Sequence, residues 1–163
     1  MDKQGWVKCD DLIEAATKAG YELTLYKITE IVTMDSKGRY TLDKKTSKIR
    51  ATQGHSLDVD VGLQKKIPPV ELFHGTSMEV IEGIKKHGIQ KMTRQYVHLS
   101  EEIETAFVVG RRHGHPVIIT IDCKAMVAGG INFYQSENKV WLVDFIDPKY
   151  FKEFIEFTLM ALL

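Results

Sequence analysis

Lys65-Lys66-Ile67-Pro68-Pro69 is the strongest boundary in the chain. Consecutive prolines lack the amide hydrogens that a helix or a central strand requires, and their fixed φ stiffens the segment into a spacer. The 163 residues suffice for one ordinary domain or two small ones. The spacer predicts the second arrangement, with lobes at residues 1–67 and 68–163.

The first lobe reads as two helices and a hairpin. Asp10 or Asp11 can cap a helix over residues 10–19, with Leu12, Ile13, Ala16 and Ala19 on one stripe and Gly20 as the stop. A second helix is expected from Thr24 to Thr33, with Leu25, Ile28, Ile31 and Val32 inward. Arg39–Leu42 and Lys48–Ala51 then read as strands around a polar turn. Two helices and a β-hairpin make the pattern of a winged-helix module, an architecture that sets basic residues against a nucleic-acid backbone. Residues 37–50 fit either of two readings. Lys37, Arg39, Lys44, Lys45, Lys48 and Arg50 against Asp43 alone describe a solvated hairpin or a phosphate-binding patch.

The second lobe alternates short strands with short helices, which predicts an α+β fold. Strands are expected at Val70–His74, Tyr96–Leu99, Val117–Asp122 and Val140–Phe145, and helices at Met78–His87 and Ile103–Gly110. Gly88 ends the first of these helices, and Ser100 can cap the second. A last helix is expected over Pro148–Leu163. There is no GxGxxG turn after a strand and no GxxxxGK[ST] loop, so any nucleotide is held by neither a Rossmann crossover nor a P-loop.

Composition narrows the function classes. Apolar residues at 44% and charged residues at 27% suit a folded, soluble chain. No apolar run reaches the roughly 20 residues of a membrane helix, and Met1–Gly5 carries no signal core. Cys9 and Cys123 form no CxxC or Cys/His cluster, so a reducing cytoplasm is expected and a structural zinc is not. A net charge of zero argues against a protein that coats nucleic acid.

Five polar clusters sit where predicted elements end, the places from which a rigid scaffold aims side chains. They are Arg50–Ser56, His74-Gly75-Thr76, His98-Leu99-Ser100, Gly110–Gly114 and Phe133–Leu142. Glycine lets a ligand approach the backbone, and His and Thr offer donors beside it. An arginine bracketed by glycines is a fork for phosphate. Taken singly, each cluster is equally well a surface turn or a satisfied core edge.

Taken in order, with Gly5-Trp6-Val7, Asp10-Asp11-Leu12 and Pro116-Val117-Ile118, the clusters resemble the RNA 2′-phosphotransferase family over most of the chain, as far as Leu142. This family supplies the last enzyme of fungal-type tRNA splicing and also occurs in bacteria and archaea. The resemblance implies a winged-helix RNA lobe followed by an ADP-ribosyltransferase-like lobe that binds NAD. It also implies a two-step reaction. The RNA 2′-phosphate attacks the nicotinamide ribose and expels nicotinamide; the ribose 2″-hydroxyl then attacks phosphorus, freeing RNA with a 2′-hydroxyl and ADP-ribose 1″,2″-cyclic phosphate. Positioning serves the first step, and cations around the non-bridging oxygens serve the second, with no metal required.

By resemblance, Arg50 and Arg112 are catalytic and grip the transferred phosphate. His74, Gly75 and Thr76 contact NAD, as do His98 and Ser100 near the nicotinamide ribose. Val140 stands where related ADP-ribosyltransferases place a catalytic glutamate. Gln53 and His55, beside Arg50, shape the RNA site. The expected partners are RNA bearing a 2′-phosphate and NAD, with no membrane, and the expected state is a monomer. Two departures qualify the resemblance. Lys139 replaces the usual glycine before Val-Trp-Leu. The upstream helix that ends in a catalytic Arg-His pair in the family would precede Gly5 and is missing from this sequence. Loss of that pair is expected to slow phosphate handling on the order of a thousandfold. Two other functions follow from the same residues: a non-catalytic module that binds RNA or ADP-ribose, or an ADP-ribosyltransferase acting on nucleic-acid phosphates.

Overall fold

The computed structural model describes residues 1–52, 60 and 62–157. The fold is α+β, and the chain divides into two compact units. Unit 1 comprises Met1–Leu63 with Ser136–Asn138, and unit 2 comprises Gln64–Gln135 with Lys139–Leu163.

Unit 1 runs β1 (Val7–Lys8), α1 (Cys9–Lys18), α2 (Leu25–Met34), β2 (Tyr40–Asp43) and β3 (Lys48–Ala51). Its sheet is antiparallel in the order β1-β3-β2. Asp10 and Asp11 do not cap α1. Lys8 occupies the cap position without a side-chain bond, and the two aspartates fall in the first turn, where they oppose the positive end of the helix dipole. Thr24 caps α2, its hydroxyl accepting the Lys27 amide at 3.2 Å. Of the apolar positions expected inward on α2, Ile28 is buried and Val32 half-buried, but Leu25 and Ile31 are 47% and 51% exposed. Ile28 is the one buried residue of α2.

Unit 2 opens with β4 (Gln64–Lys65) and β5 (Glu71–Ser77), then a 3-10 turn and α3 (Ile81–His87). Next come β6 (Ile89–Gln90), β7 (Val97–Leu99), α4 (Ile103–Gly110), β8 (Pro116–Asp122) and α5 (Cys123–Ala128). β9 (Tyr134–Gln135), β10 (Trp141–Val143), β11 (Phe145–Ile146) and β12 (Phe151–Glu156) complete it. A sheet in the order β12-β8-β5 and another in the order β4-β9-β10-β7 carry the core, with the pair β11-β6 beside them. Leu72, Val117, Ile119, Ile121, Met126 and Val143 are fully enclosed. Cys123 is buried as well, its amide donating to the Val70 carbonyl at 3.0 Å.

Three expectations fail in unit 2. Over the described part of Pro148–Leu163 the expected helix is not formed: beyond a 3-10 turn, Phe151–Glu156 is a strand paired antiparallel with β8, and residues 158–163 lie outside the described residues. A register shift between Phe151 and Glu153 inserts one extra residue, so Phe151, Phe154 and Ile155 acquire helical spacing while lying on a strand. Ser100 does not cap α4; Glu102 stands at that position, and Ser100 forms a β-bridge with Phe73. β5 continues through His74-Gly75-Thr76 to Ser77 rather than ending at His74. The helix α5, capped by the Asp122 carboxylate on the Ala125 amide at 2.9 Å, was not expected at all.

Two glycines let α4 lie directly on β5. A methyl group at residue 75 would come within 2.7 Å of the Ala106 carbonyl carbon, and one at residue 110 within 2.6 Å of the Thr76 carbonyl oxygen. Both obstacles are backbone, which cannot rotate aside. Lys139 has φ 62, in the left-handed region that favours glycine.

Gly75→Ala is therefore expected to destabilise the protein by about 1–3 kcal/mol or more, read as a lowered Tm and denaturant midpoint; unchanged midpoints would show that α4 is free to retreat. Lys139→Gly should raise stability by up to about 1 kcal/mol, the relieved strain exceeding the added chain entropy. A fall in Tm would reverse that balance.

Candidate active site

Two of the motifs meet in unit 2. The Phe73 amide donates to the Ser100 carbonyl at 2.8 Å, and the Ser100 amide donates back to Phe73 at 2.9 Å. This pair of bonds stitches the strand bearing His74-Gly75-Thr76 to the one bearing His98-Leu99-Ser100, although β5 and β7 belong to different sheets. His74 lies opposite Ile119 on β8, and His98 opposite Leu142 on β10. Thr76 is buried, and Ser100 and both histidines are half-buried.

The hydrogen bonds of the two rings assign their tautomers. His74 Nδ1 is 3.1 Å from the His98 carbonyl oxygen. A carbonyl only accepts, so Nδ1 of His74 carries the hydrogen and Nε2 keeps a lone pair. Arg94 Nη1 is 3.1 Å from Nδ1 of His98. A guanidinium only donates, so Nδ1 of His98 is bare and its hydrogen is on Nε2. The neighbouring rings thus have opposite polarity. Both are held neutral. Burial pushes the pKa of His74 down, against the pull of the His98 carbonyl, and the charge of His113 adds to the fall. Burial, then the Arg94 charge and His74, push His98 down to about 4.

Arg112 lies just past α4. The amides of Arg111, Arg112 and His113 donate back to Phe107, Val109 and Gly110, which winds the chain into a turn that leaves Arg111 and Arg112 exposed. Glu79 anchors the far side of this turn. Its carboxylate accepts the His115 amide at 3.2 Å and occupies the space a side chain at Gly114 would need. The Ser77 hydroxyl, then backbone amides, hold the Glu79 carboxyl below its usual range.

Glu101 supports the other strand. Its carboxylate accepts Trp141 Nε1 at 2.7 Å and Gln135 Nε2 at 3.5 Å, tying the residue after Ser100 to β10 and β9. Val140 precedes β10 and is half-buried, one step beyond the pair Trp141–Leu99.

Arg50 belongs to unit 1. On β3 it faces Thr41 of β2, and its guanidinium carbon lies 4.6 Å from the centre of the Trp6 ring. Its Nη2 pairs with Glu137 Oε1 at 3.0 Å, and the Thr41 hydroxyl donates to the other oxygen, Oε2, at 3.1 Å. The Arg50 side chain is 12% exposed and that of Glu137 61%, so the arginine is built in while the carboxylate lies at the surface. Arg50 Nε is buried without a partner among the described residues. A guanidinium stacked on an indole and already holding an oxyanion is arranged as an anion fork. Two neighbouring cations are also paired, Arg39 with Asp35 at 2.9 Å and Lys48 with Asp2 at 3.5 Å, but their side chains are 59% and 37% exposed. Gln53 and His55 lie outside the described residues.

Sequence reasoning did not single out Arg94, Glu79, Glu101 or Glu137. Glu137 lay within a cluster already noted, and Arg94 precedes His98 by four residues, but neither spacing specifies a contact across a turn or between strands.

The family model described as RNA 2′-phosphotransferase, Tpt1 / KptA family, matches residues 1–145. A protein of Fusobacterium nucleatum named probable RNA 2′-phosphotransferase is 46% identical over 153 residues, covering 93% of this chain and 86% of that one. One of Trichormus variabilis with the same name is 43% identical over 146 residues, covering 90% of this chain and 80% of its own. Another, of Pseudomonas savastanoi, is 40% identical over 144 residues, covering 88% and 77%. With a match of this extent laid over the motif strands just described, the chain belongs to the RNA 2′-phosphotransferase family.

Proposed function

We propose that this protein removes the 2′-phosphate from RNA by transferring it to NAD, releasing nicotinamide and ADP-ribose 1″,2″-cyclic phosphate through an ADP-ribosylated RNA phosphate. Family membership supports the loss of the 2′-phosphate. The observation that carries the NAD assignment is the opposed polarity of His74 and His98 on two strands stitched together at Phe73 and Ser100. A ribose hydroxyl both donates and accepts. A ring with a bare Nε2 and a ring with Nε2–H satisfy those two functions, and neutral rings do so without repelling the cationic nicotinamide.

The chain's own residues have distinct tasks in this reading. His74, Gly75 and Thr76 hold the adenosine side and ribose hydroxyls, Gly75 through its backbone, since the space above its Cα is taken by α4. His98 and Ser100 orient the nicotinamide ribose, and Val140 fills the position beside them with an apolar side chain. No protein nucleophile is needed, because the RNA phosphate supplies the attacking oxygen. Arg50 and Arg112 neutralise the non-bridging oxygens as charge redistributes at phosphorus. Arg50 is suited to this because its stacking on Trp6 limits its rotamers before any phosphate arrives. Unit 1, with its two helices and basic hairpin, serves as a winged-helix RNA lobe in this scheme.

Incubation with NAD⁺ and a short RNA bearing one internal 2′-phosphate should yield 2′-hydroxyl RNA, nicotinamide and the cyclic phosphate, resolved by chromatography and mass spectrometry. Accumulation of ADP-ribosylated RNA without release would mark an ADP-ribosyltransferase instead, and binding without turnover a recognition module. Arg50→Ala and Arg112→Ala should each lower kcat by about 10²–10³-fold. Wild-type product formation by either variant would remove that arginine from the reaction.

A further inference from the structure

Arg94 has an unusual companion for an exposed arginine. Among the described residues it makes no ion pair with a carboxylate, and its guanidinium instead meets an imidazole at 3.1 Å. Two basic groups in contact contribute nothing if both are charged. The contact is favourable only while the imidazole is neutral and offers Nδ1 as an acceptor.

The backbone keeps Arg94 in place. Its amide donates to the Lys91 carbonyl at 3.0 Å in a turn where Met92 has φ 53, a left-handed conformation that non-glycine residues seldom adopt. His98 is held from the other side by its strand pairing with Leu142 and by the bond from His74 to its carbonyl. The two side chains therefore meet because two separately anchored backbones bring them together.

We propose that Arg94 is a positioning residue: by donating to Nδ1 it keeps His98 neutral with its hydrogen on Nε2, making the ring a dedicated hydrogen-bond donor to the ligand. The ligand group, a ribose hydroxyl of NAD, rests on the reading above. The charged and titratable groups that act on His98 are Arg94 from the preceding turn and His74 from β5, with His113 acting on His74 in turn. A proton entering at Nδ1 of His98 would have to displace the guanidinium hydrogen and sit beside its charge. Burial alone would lower the affinity of the ring for a proton, but it would not choose between the two nitrogens; the arginine makes that choice.

The test uses the full chain with labelled histidine, its His98 ring nitrogens followed by NMR between about pH 4 and pH 8. Wild type should show a pyridine-type Nδ1 and a pyrrole-type Nε2, with the ring neutral down to about 4. Arg94→Met keeps the apolar stem and deletes the donor. Its His98 should take up a proton at Nδ1 at higher pH, towards the ordinary value of about 6.5, and Arg94→Lys should restore the wild-type pattern. In turnover, Arg94→Met should raise KM for NAD⁺ about tenfold with kcat nearly unchanged, and Arg94→Lys should recover most of it. A protonated Nδ1 in neutral wild type, or an unaltered His98 titration in Arg94→Met, would overturn the proposal. If the wild-type ring behaves as described but NAD⁺ produces no shift at His98, the nicotinamide-ribose reading fails and the role of Arg94 in setting the ring stands.

Discussion

The seating of α4 on β5 is the contact on which the rest of unit 2 depends. Helix backbone meets strand backbone through Gly75 and Gly110, with no side chain between them. Carbonyl groups packed this closely leave the helix no freedom to slide. The turn after the helix, which carries Arg112, is thereby located relative to the strand that carries His74 and Thr76. On the other face of the strand order, β8 is enclosed from Val117 to Ile121 and holds β5 by a full antiparallel ladder. A motif placed on such a strand inherits its rigidity. In the His74-Gly75-Thr76 triplet the glycine is therefore a packing requirement.

The sequence made most of this scaffold legible because the signals were local. β7, β8, α3 and α4 follow from apolar runs bounded by polar or glycine residues, and the hairpin β2–β3 from its polar turn. What failed was non-local. At β12 a single inserted residue at the bulge gives Phe151, Phe154 and Ile155 the period of a helix, and only their pairing with β8 distinguishes the two. Ser100 has the residue type and position of a helix cap, but its backbone is claimed by Phe73, a pairing the sequence does not reveal. Leu25 and Ile31 share the apolar stripe of Ile28 yet stay exposed, because a helical stripe records which residues share a side and not how much of that side is covered.

At the site the pattern is similar. His74, Thr76, His98, Ser100, Arg50 and Arg112 stand out in the sequence through the resemblance of their motifs, but their electrical states do not. That His74 donates through Nδ1 while His98 accepts there follows from a carbonyl on one side and a guanidinium on the other, groups separated in the chain or joined only through a turn. The anion fork is a similar case. Arg50 reads as a basic residue on a basic hairpin, yet it differs from Arg39 and Lys48 by lying on Trp6 and by being largely buried. Charge counting along the hairpin blurs this difference; burial and stacking reveal it.

The buried thiol after β8 has a practical side. Burial, reinforced by the charge of Asp122, pushes the Cys123 thiol up to about 12, and Cys9 is enclosed as well. Alkylating reagents attack thiolate, so the folded chain presents them with almost no target at neutral pH. Reactivity at position 123 then records excursions in which the sheet opens. Such opening can be read by mass without any engineered probe.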